Sequence, residues 1–282
     1  MFVDPLENPS PDSPVLRTFL EAFCVPPGRA PLATLEEVAT AFARLPYENL
    51  TKILKQADAG SRAEARRAPA EVVSDHLALG TGGTCFSLTA ALLHLVRALG
   101  WEAQPLLADR RYGSDTHCAL LVWIDGKPHL LDPGYLLVRP VLLPATGELR
   151  ISTAFNEVVL TARDGGSKVD LHTVQQGKQR YRLTFKAEPA DRSAFLRAWD
   201  ASFDWDMMNY PVLSRIASDR QLYLQQNRWL VRGRTQVERT ELDPQSLAEH
   251  IAREFGIAPS VSARALAVLR RKGEGHGCTP AA

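Results

Sequence analysis

The stretch THCALLVWIDGKPHLLDPGY (116–135) is two apolar runs joined by Asp125-Gly126. An Asp-Gly pair between such runs is the turn chemistry of a two-residue hairpin, whose central residues adopt positive φ. Closing that turn pairs Ile124 with Lys127, and counting outward sets Ala119 opposite Asp132. His117 lies two residues from Ala119, on the same strand face, and is therefore a diagonal neighbour of Asp132. The register of one dipeptide thus brings an imidazole within reach of a carboxylate. It also predicts an antiparallel sheet in the middle of the chain.

The 282 residues divide into three regions and a tail. Residues 1–100 are predicted to be helical. Ser13-Pro14 sets a cap before a proline at the first helical position, Thr34 with Glu37 has the spacing of a capping box, and a short helix starts near Pro69. Residues 101–186 carry strand patterns, including FNEVVLTA and YRLTFKA. Residues 187–270 mix helices at DRSAFLRAWDAS and DPQSLAEHIAREFGI with strands at QLYLQQ and RWLVRG. Residues 271–282 have the composition of a disordered tail.

A second stretch, GGTCFSLTAALLHL (82–95), sets Cys85 behind two glycines at the start of an apolar helix that Gly100 ends. In a first helical turn the unpaired amides and the helix dipole stabilise a thiolate. An imidazole oriented by Asp132 can deprotonate such a thiol, so Cys85, His117 and Asp132 form a candidate nucleophile, base and orienting acid. The same residues also fit a packed thiol, a strand-end histidine and a turn-capping aspartate. Cys118 alternates to the face opposite His117 and fits a core position. Cys24 ends a helix and Cys278 lies in the tail. His94 and His129 have no carboxylate at useful spacing.

Composition sets the outer bounds. A formal net charge of +1 gives no electrostatic reason to expect nucleic acid or an anionic membrane. No apolar run approaches the ~20 residues that span a bilayer. The acidic, proline-rich N-terminus is unlike a signal peptide. Four scattered cysteines without a CxxC pair point away from a disulfide framework and from a metal site. Free thiols fit a reducing cytoplasm.

The motifs resemble those of the arylamine N-acetyltransferase family, which shares its layout with transglutaminase-like cysteine enzymes. LPYENL (45–50) is similar to that family's P-F-E-N-L. TGGTCFSLT (81–89) is similar to its R-G-G-x-C-x-E-x-N, and THCALLV (116–122) and LLDPGY (130–135) to its histidine and aspartate segments, in the same order. FDWDMMNYPVLSR and EFGI are similar to later segments. The resemblance implies an α+β fold: a helical N-terminal bundle, an antiparallel β-barrel-like middle domain and an α/β C-terminal lid. It implies Cys85 as acyl acceptor, His117 as base and Asp132 as orienter. The implied reaction is ping-pong transfer of acetyl from acetyl-CoA to a small-molecule arylamine or hydrazine. Monomer and homodimer both stay open.

The pattern also departs from the family. Thr81 stands for its arginine, leaving Glu48 without that ion-pair partner, and Ser87 and Thr89 stand for its glutamate and asparagine. PGYLLVRP replaces the V-G-F-G-G loop, and Met208 and Asn209 stand where serine and threonine are usual. A carrier-bound acyl thioester as donor, a transglutaminase-like peptidase and an inactive module of the same fold are the alternatives. Phe86 and Tyr135 are candidates for lining the acceptor pocket. Backbone amides near Cys85 and Phe86 are candidates for an oxyanion hole. Arg110 and Arg111 fit either contact with an anionic donor or plain solvation.

Overall fold

The computed structural model describes residues 4–275. The helices are α1 (Pro14–Ala22), α2 (Pro31–Phe42), α3 (Leu50–Asp58), α4 (Arg62–Ala65), α5 (Pro69–Leu79), α6 (Cys85–Ala98), α7 (Arg192–Ala201), α8 (Leu247–Phe255) and α9 (Pro259–Gly275). The first strands are β1 (Tyr47–Glu48), β2 (Ala103–Arg110), β3 (Gly113–Ile124), β4 (Lys127–Asp132), β5 (Leu137–Leu142), β6 (Glu148–Ser152) and β7 (Glu157–Arg163). They are followed by β8 (Lys168–Gln175), β9 (Lys178–Pro189), β10 (Val212–Ala217), β11 (Arg220–Gln225), β12 (Arg228–Arg232) and β13 (Val237–Glu241).

Two antiparallel sheets result. The larger is a curled eight-stranded half-barrel in the order β5-β4-β3-β2-β9-β8-β7-β6, and the smaller runs β1-β10-β11-β12-β13. The hairpin forms in the expected register, from Ile124 opposite Lys127 to Leu120 opposite Leu131. Asp125 and Gly126 have φ of 50° and 70°, the conformation that this tight turn requires.

Helix α6 is the hub. Twelve of its fourteen residues are buried, the pattern of a helix covered on all sides. It packs on β2 and β3 across one face and on α1, α2 and α5 across others. On β3, Cys118, Leu120 and Val122 face this helical core, whereas Ala119 and Leu121 join the core of the curled sheet. That is the period-two alternation of a strand buried on both faces. Helix α7 returns to the same helical core, where Phe195 and Trp199 pack on Phe86. A third core lies between the smaller sheet, α8 and α9.

Two local expectations are corrected. Helix α2 begins at Pro31, so Thr34 sits inside it and its hydroxyl donates back to the Ala30 carbonyl. Proline at the first position fixed the start one turn earlier than the Thr34–Glu37 spacing implied. The expected tail from residue 271 begins within α9, which continues to Gly275. The remainder of that tail, with Cys278, lies outside the described residues.

One backbone contact joins the parts. The Glu48 amide donates to the Gly83 carbonyl at 2.9 Å, and the Gly83 amide to the Pro46 carbonyl at 3.2 Å. Tyr47 and Glu48 also pair with Ser214 and Leu213 of β10. The Asn49 side chain adds a clamp, donating to the Met207 and Tyr210 carbonyls and accepting from the Val212 amide. A Cβ on Gly82 would lie 1.8 Å from the Pro46 oxygen, so no larger residue fits. Gly82→Ala is expected to lower stability by roughly 3–5 kcal/mol in urea unfolding. Gly233→Ala, whose added carbon comes no nearer than 3.8 Å to any neighbour, is expected to change it by less than about 1 kcal/mol.

Candidate active site

Cys85 is the first residue of α6, after an N-cap Thr84 whose side chain makes no capping bond. The amides of that turn therefore remain available to a negative charge at the sulfur. His117 comes from β3 and Asp132 from the end of β4, and all three side chains are buried. His117 Nε2 lies 2.8 Å from Asp132 Oδ2, and the second carboxylate oxygen accepts from the Tyr135 amide at 2.9 Å. With Nε2–H donated to Asp132, Nδ1 is the ring nitrogen left to exchange a proton with Cys85, which is hydrogen-bonded to this ring. The structure thus brings together the three residues that the hairpin register and the GGTC helix start had singled out.

The electrostatics favour a charged pair. The neighbouring Cys118 thiol is the largest influence that holds Cys85 well below the usual thiol range. The bond and charge of His117 and the charge of Arg110 act in the same direction, against burial. Burial pulls His117 down, but the Asp132 charge and hydrogen bond, with Cys85, outweigh it and leave the imidazole raised. Burial raises the Cys118 thiol, which keeps its proton and donates it to the Thr89 hydroxyl at 3.5 Å. Cys118 is buried as expected, and its contact with Cys85 had no signal in the sequence.

Other parts of the motifs find substitute partners. Glu48 is fully buried and accepts from the Thr51 amide (2.9 Å) and hydroxyl (2.5 Å). Arg67, on the loop before α5, donates to the Thr51 hydroxyl at 3.1 Å, to the Gly82 carbonyl and to Asp75 at 2.8 Å. It thereby ties the Glu48 segment to the loop that carries Cys85. Thr81 is buried at the place where the resemblance implied arginine, and its hydroxyl has no hydrogen-bond partner among the described residues. Nothing in the spacing of Arg67 announced its role.

A cavity of about 1110 Å³ opens beside the three residues, between the two sheets. None of the three lines it; of the residues that do, Arg110, Gly134 and Tyr135 lie against His117. Tyr135 stands edge-on to His117, with ring centroids 5.1 Å apart. All six tyrosines of the chain line this cavity. Arg110 and Arg111 line it too, and Arg110 is half-buried rather than fully solvated. Phe86 is placed differently from expectation. It does not line the cavity but is fully buried against Phe195, Trp199 and Trp205, because the second position of α6 faces the helical core. Among the described residues no cluster of three or more His, Cys, Asp or Glu could hold a metal, and no helix is long and apolar enough to cross a membrane.

A family profile described as N-acetyltransferase matches residues 31–263. The chain belongs to that family. It is an acyltransferase by that membership, and solved structures of family members share its fold. The arylamine N-acetyltransferase of Mycobacterium abscessus superposes with a TM-score of 0.78 at 19% identity, covering 92% of this chain and 96% of that one. The enzyme of Nocardia farcinica gives 0.74 at 21% identity, covering 93% and 96%. That of Mycobacterium marinum, solved in complex with CoA, gives 0.74 at 19% identity, covering 90% and 98%. A search of curated proteins returned no match.

Two predictions follow from the packing and the charges. A Cβ on Gly134 would lie 2.8 Å from His117 Cε1 and 3.3 Å from Asp132 Oδ1. Gly134→Ala is therefore expected to displace the imidazole and slow alkylation of Cys85 by iodoacetamide below pH 7 by about 10-fold or more, with an unchanged far-ultraviolet spectrum. The second concerns pH. A lowered thiol pKa keeps thiolate present below the ordinary thiol range near ~8.5 and loses it only as pH falls through the lowered value. Iodoacetamide should accordingly label Cys85 below about pH 7 faster than the exposed Cys24. Asp132→Asn should move that pH profile upward by about one unit or more.

Proposed function

We propose that this N-acetyltransferase family member carries an acyl group on Cys85 between a thioester donor, acetyl-CoA, and the nitrogen of an aromatic amine or hydrazine. The observation that carries the reading is the placement of Cys85 at a helix N-terminus beside an imidazole whose Nε2 is fixed by Asp132 at 2.8 Å. The thiolate attacks the thioester carbonyl carbon, and the bond to the CoA sulfur breaks. His117 gives its Nδ1 proton to that leaving sulfur. The amine then attacks the enzyme thioester, returns a proton to Nδ1, and Cys85 leaves as thiolate. Asp132 stabilises the imidazolium throughout without taking its proton. Backbone amides around Cys85 and Phe86 serve the tetrahedral oxyanion.

The cavity supports a small-molecule acceptor, because its phenol-rich walls offer aromatic faces and hydroxyls together. It is also large enough to admit the acyl end of a CoA thioester, with Arg111 and Arg182 among its linings for anionic groups. A division into helical, barrel-like and C-terminal parts, acting in the cytoplasm, completes the reading. The test is intact-protein mass after incubation with acetyl-CoA, with Cys85→Ala as control. A single acetyl adduct that the variant lacks is the expected result. Selective alkylation of Cys85 without any acetyl adduct would reject CoA as donor, and neither adduct nor alkylation would overturn the enzymatic reading.

A further inference from the structure

Among the described residues Arg110 forms no ion pair with a carboxylate, and the anion that faces it is the Cys85 thiolate, which acylation removes. The arginine sits at the end of β2, two residues past Ala108, which pairs with His117, and a register shift lies between the two. Its guanidinium donates to the Tyr112 hydroxyl at 2.7 Å and lies 3.3 Å from His117 Nδ1. The rings of Tyr112 and Tyr135 lie 5.9 Å from its central carbon. Its Nε is shut off from solvent and has no acceptor among the described residues. The acids nearest in sequence are taken elsewhere: Asp109 and Asp115 both pair with Lys186. Of the two acids that line the cavity, Asp204 pairs with Arg62. Once the thiolate is consumed, a half-buried guanidinium is left without a counter-ion, and an acyl group that brings its own anion replaces it.

The position says which part of a ligand this is. The guanidinium lies 3.3 Å from His117 Nδ1 and Cys85 is hydrogen-bonded to the same ring, so the two groups lie within roughly 6–7 Å of each other. The free carboxylate of a short dicarboxylic acyl group lies roughly 4–6 Å from its thioester sulfur. The remaining gap is about one hydrogen bond. We propose that Arg110 binds the free carboxylate of a malonyl- or succinyl-type acyl group held on Cys85, so that the preferred donors are dicarboxylic half-thioesters and acetyl is the smaller, unanchored case. This rests on Cys85 being the acyl-accepting thiol. The chemistry is unchanged: the thioester carbonyl reacts and exchanges its sulfur, while the second carboxylate stays intact on the guanidinium. Bound there, it also draws the guanidinium away from Nδ1 and leaves that lone pair to take the proton of the incoming amine. Arg110 is then a specificity-determining residue.

The experiment measures acylation rates of Cys85 by rapid-quench intact mass with malonyl-, succinyl-, acetyl- and butyryl-CoA, butyryl being the uncharged match in size. The expected result is that a charged donor exceeds butyryl by roughly 10- to 100-fold. Arg110→Gln brings that ratio near one, Arg110→Lys restores part of it, and Arg232→Gln, on the smaller sheet, leaves it alone. Thermal melts confirm that each variant is folded. An equal ratio before and after Arg110→Gln would overturn the proposal. A uniform slowing of all four donors would also overturn it, since Arg110 would then serve CoA itself or the oxyanion. An Arg110-dependent preference seen only in the second half-reaction, for an amine that carries a carboxylate, would assign the anion to the acceptor and reject the donor. The two readings fail separately: acetyl transfer without charge preference sinks only this one, whereas no acylation by any donor sinks the CoA reading beneath it.

Discussion

The Gly82–Gly83 backbone is hydrogen-bonded to Pro46–Glu48, and Gly82 lies so close to Pro46 that only hydrogen fits between them. Because the next two residues lead into α6, this contact fixes the height and rotation of the helix that presents Cys85. Because Tyr47 and Glu48 also pair with β10, it ties that helix to the smaller sheet. Helix α6 meets the curled sheet through β2 and β3. Nucleophile candidate, base candidate and cavity walls thus come from three parts of the chain that share one backbone seam. Arg67 and Asn49 spend their buried hydrogen bonds on the same seam, which is consistent with its need for rigidity.

Once the seam is in place, the electrostatics follow from enclosure. Three ionisable groups with almost no solvent access would ordinarily neutralise. Here each finds a specific partner instead. Asp132 has two donors, His117 has a carboxylate on one side and a thiol on the other, and Cys85 has the helix amides and the Cys118 thiol. In a poorly solvated setting such bonds are strong, and their geometry is fixed before any substrate arrives. The buried Lys52 shows what happens without such help. Burial lowers it to about 7, although it donates to Ser202.

The sequence was most legible where a local rule has a long reach. Asp125-Gly126 admits one turn, the turn admits one register, and the register sets His117 beside Asp132. The two glycines before Cys85 likewise announced a close approach and a helix start. Legibility failed where partners meet only in three dimensions. Cys118 alternates away from His117 along its strand, yet its thiol reaches Cys85. Arg67 belongs to no motif that the sequence singled out, yet it is a buried tie. Phe86 follows the nucleophile in sequence and was expected in the pocket. One residue along a helix turns the side chain by about 100°, and that turn carried it into the aromatic core.

The confinement of every tyrosine to one cavity gives the protein an optical property as well as a chemical one. In most chains the phenol absorption band averages over many unrelated environments. Here the whole band, and any phenolate that forms on alkaline titration, originates in the walls of a single chamber. Colour, quenching or nitration of this protein's tyrosines therefore reports on that chamber and on nothing else in the fold.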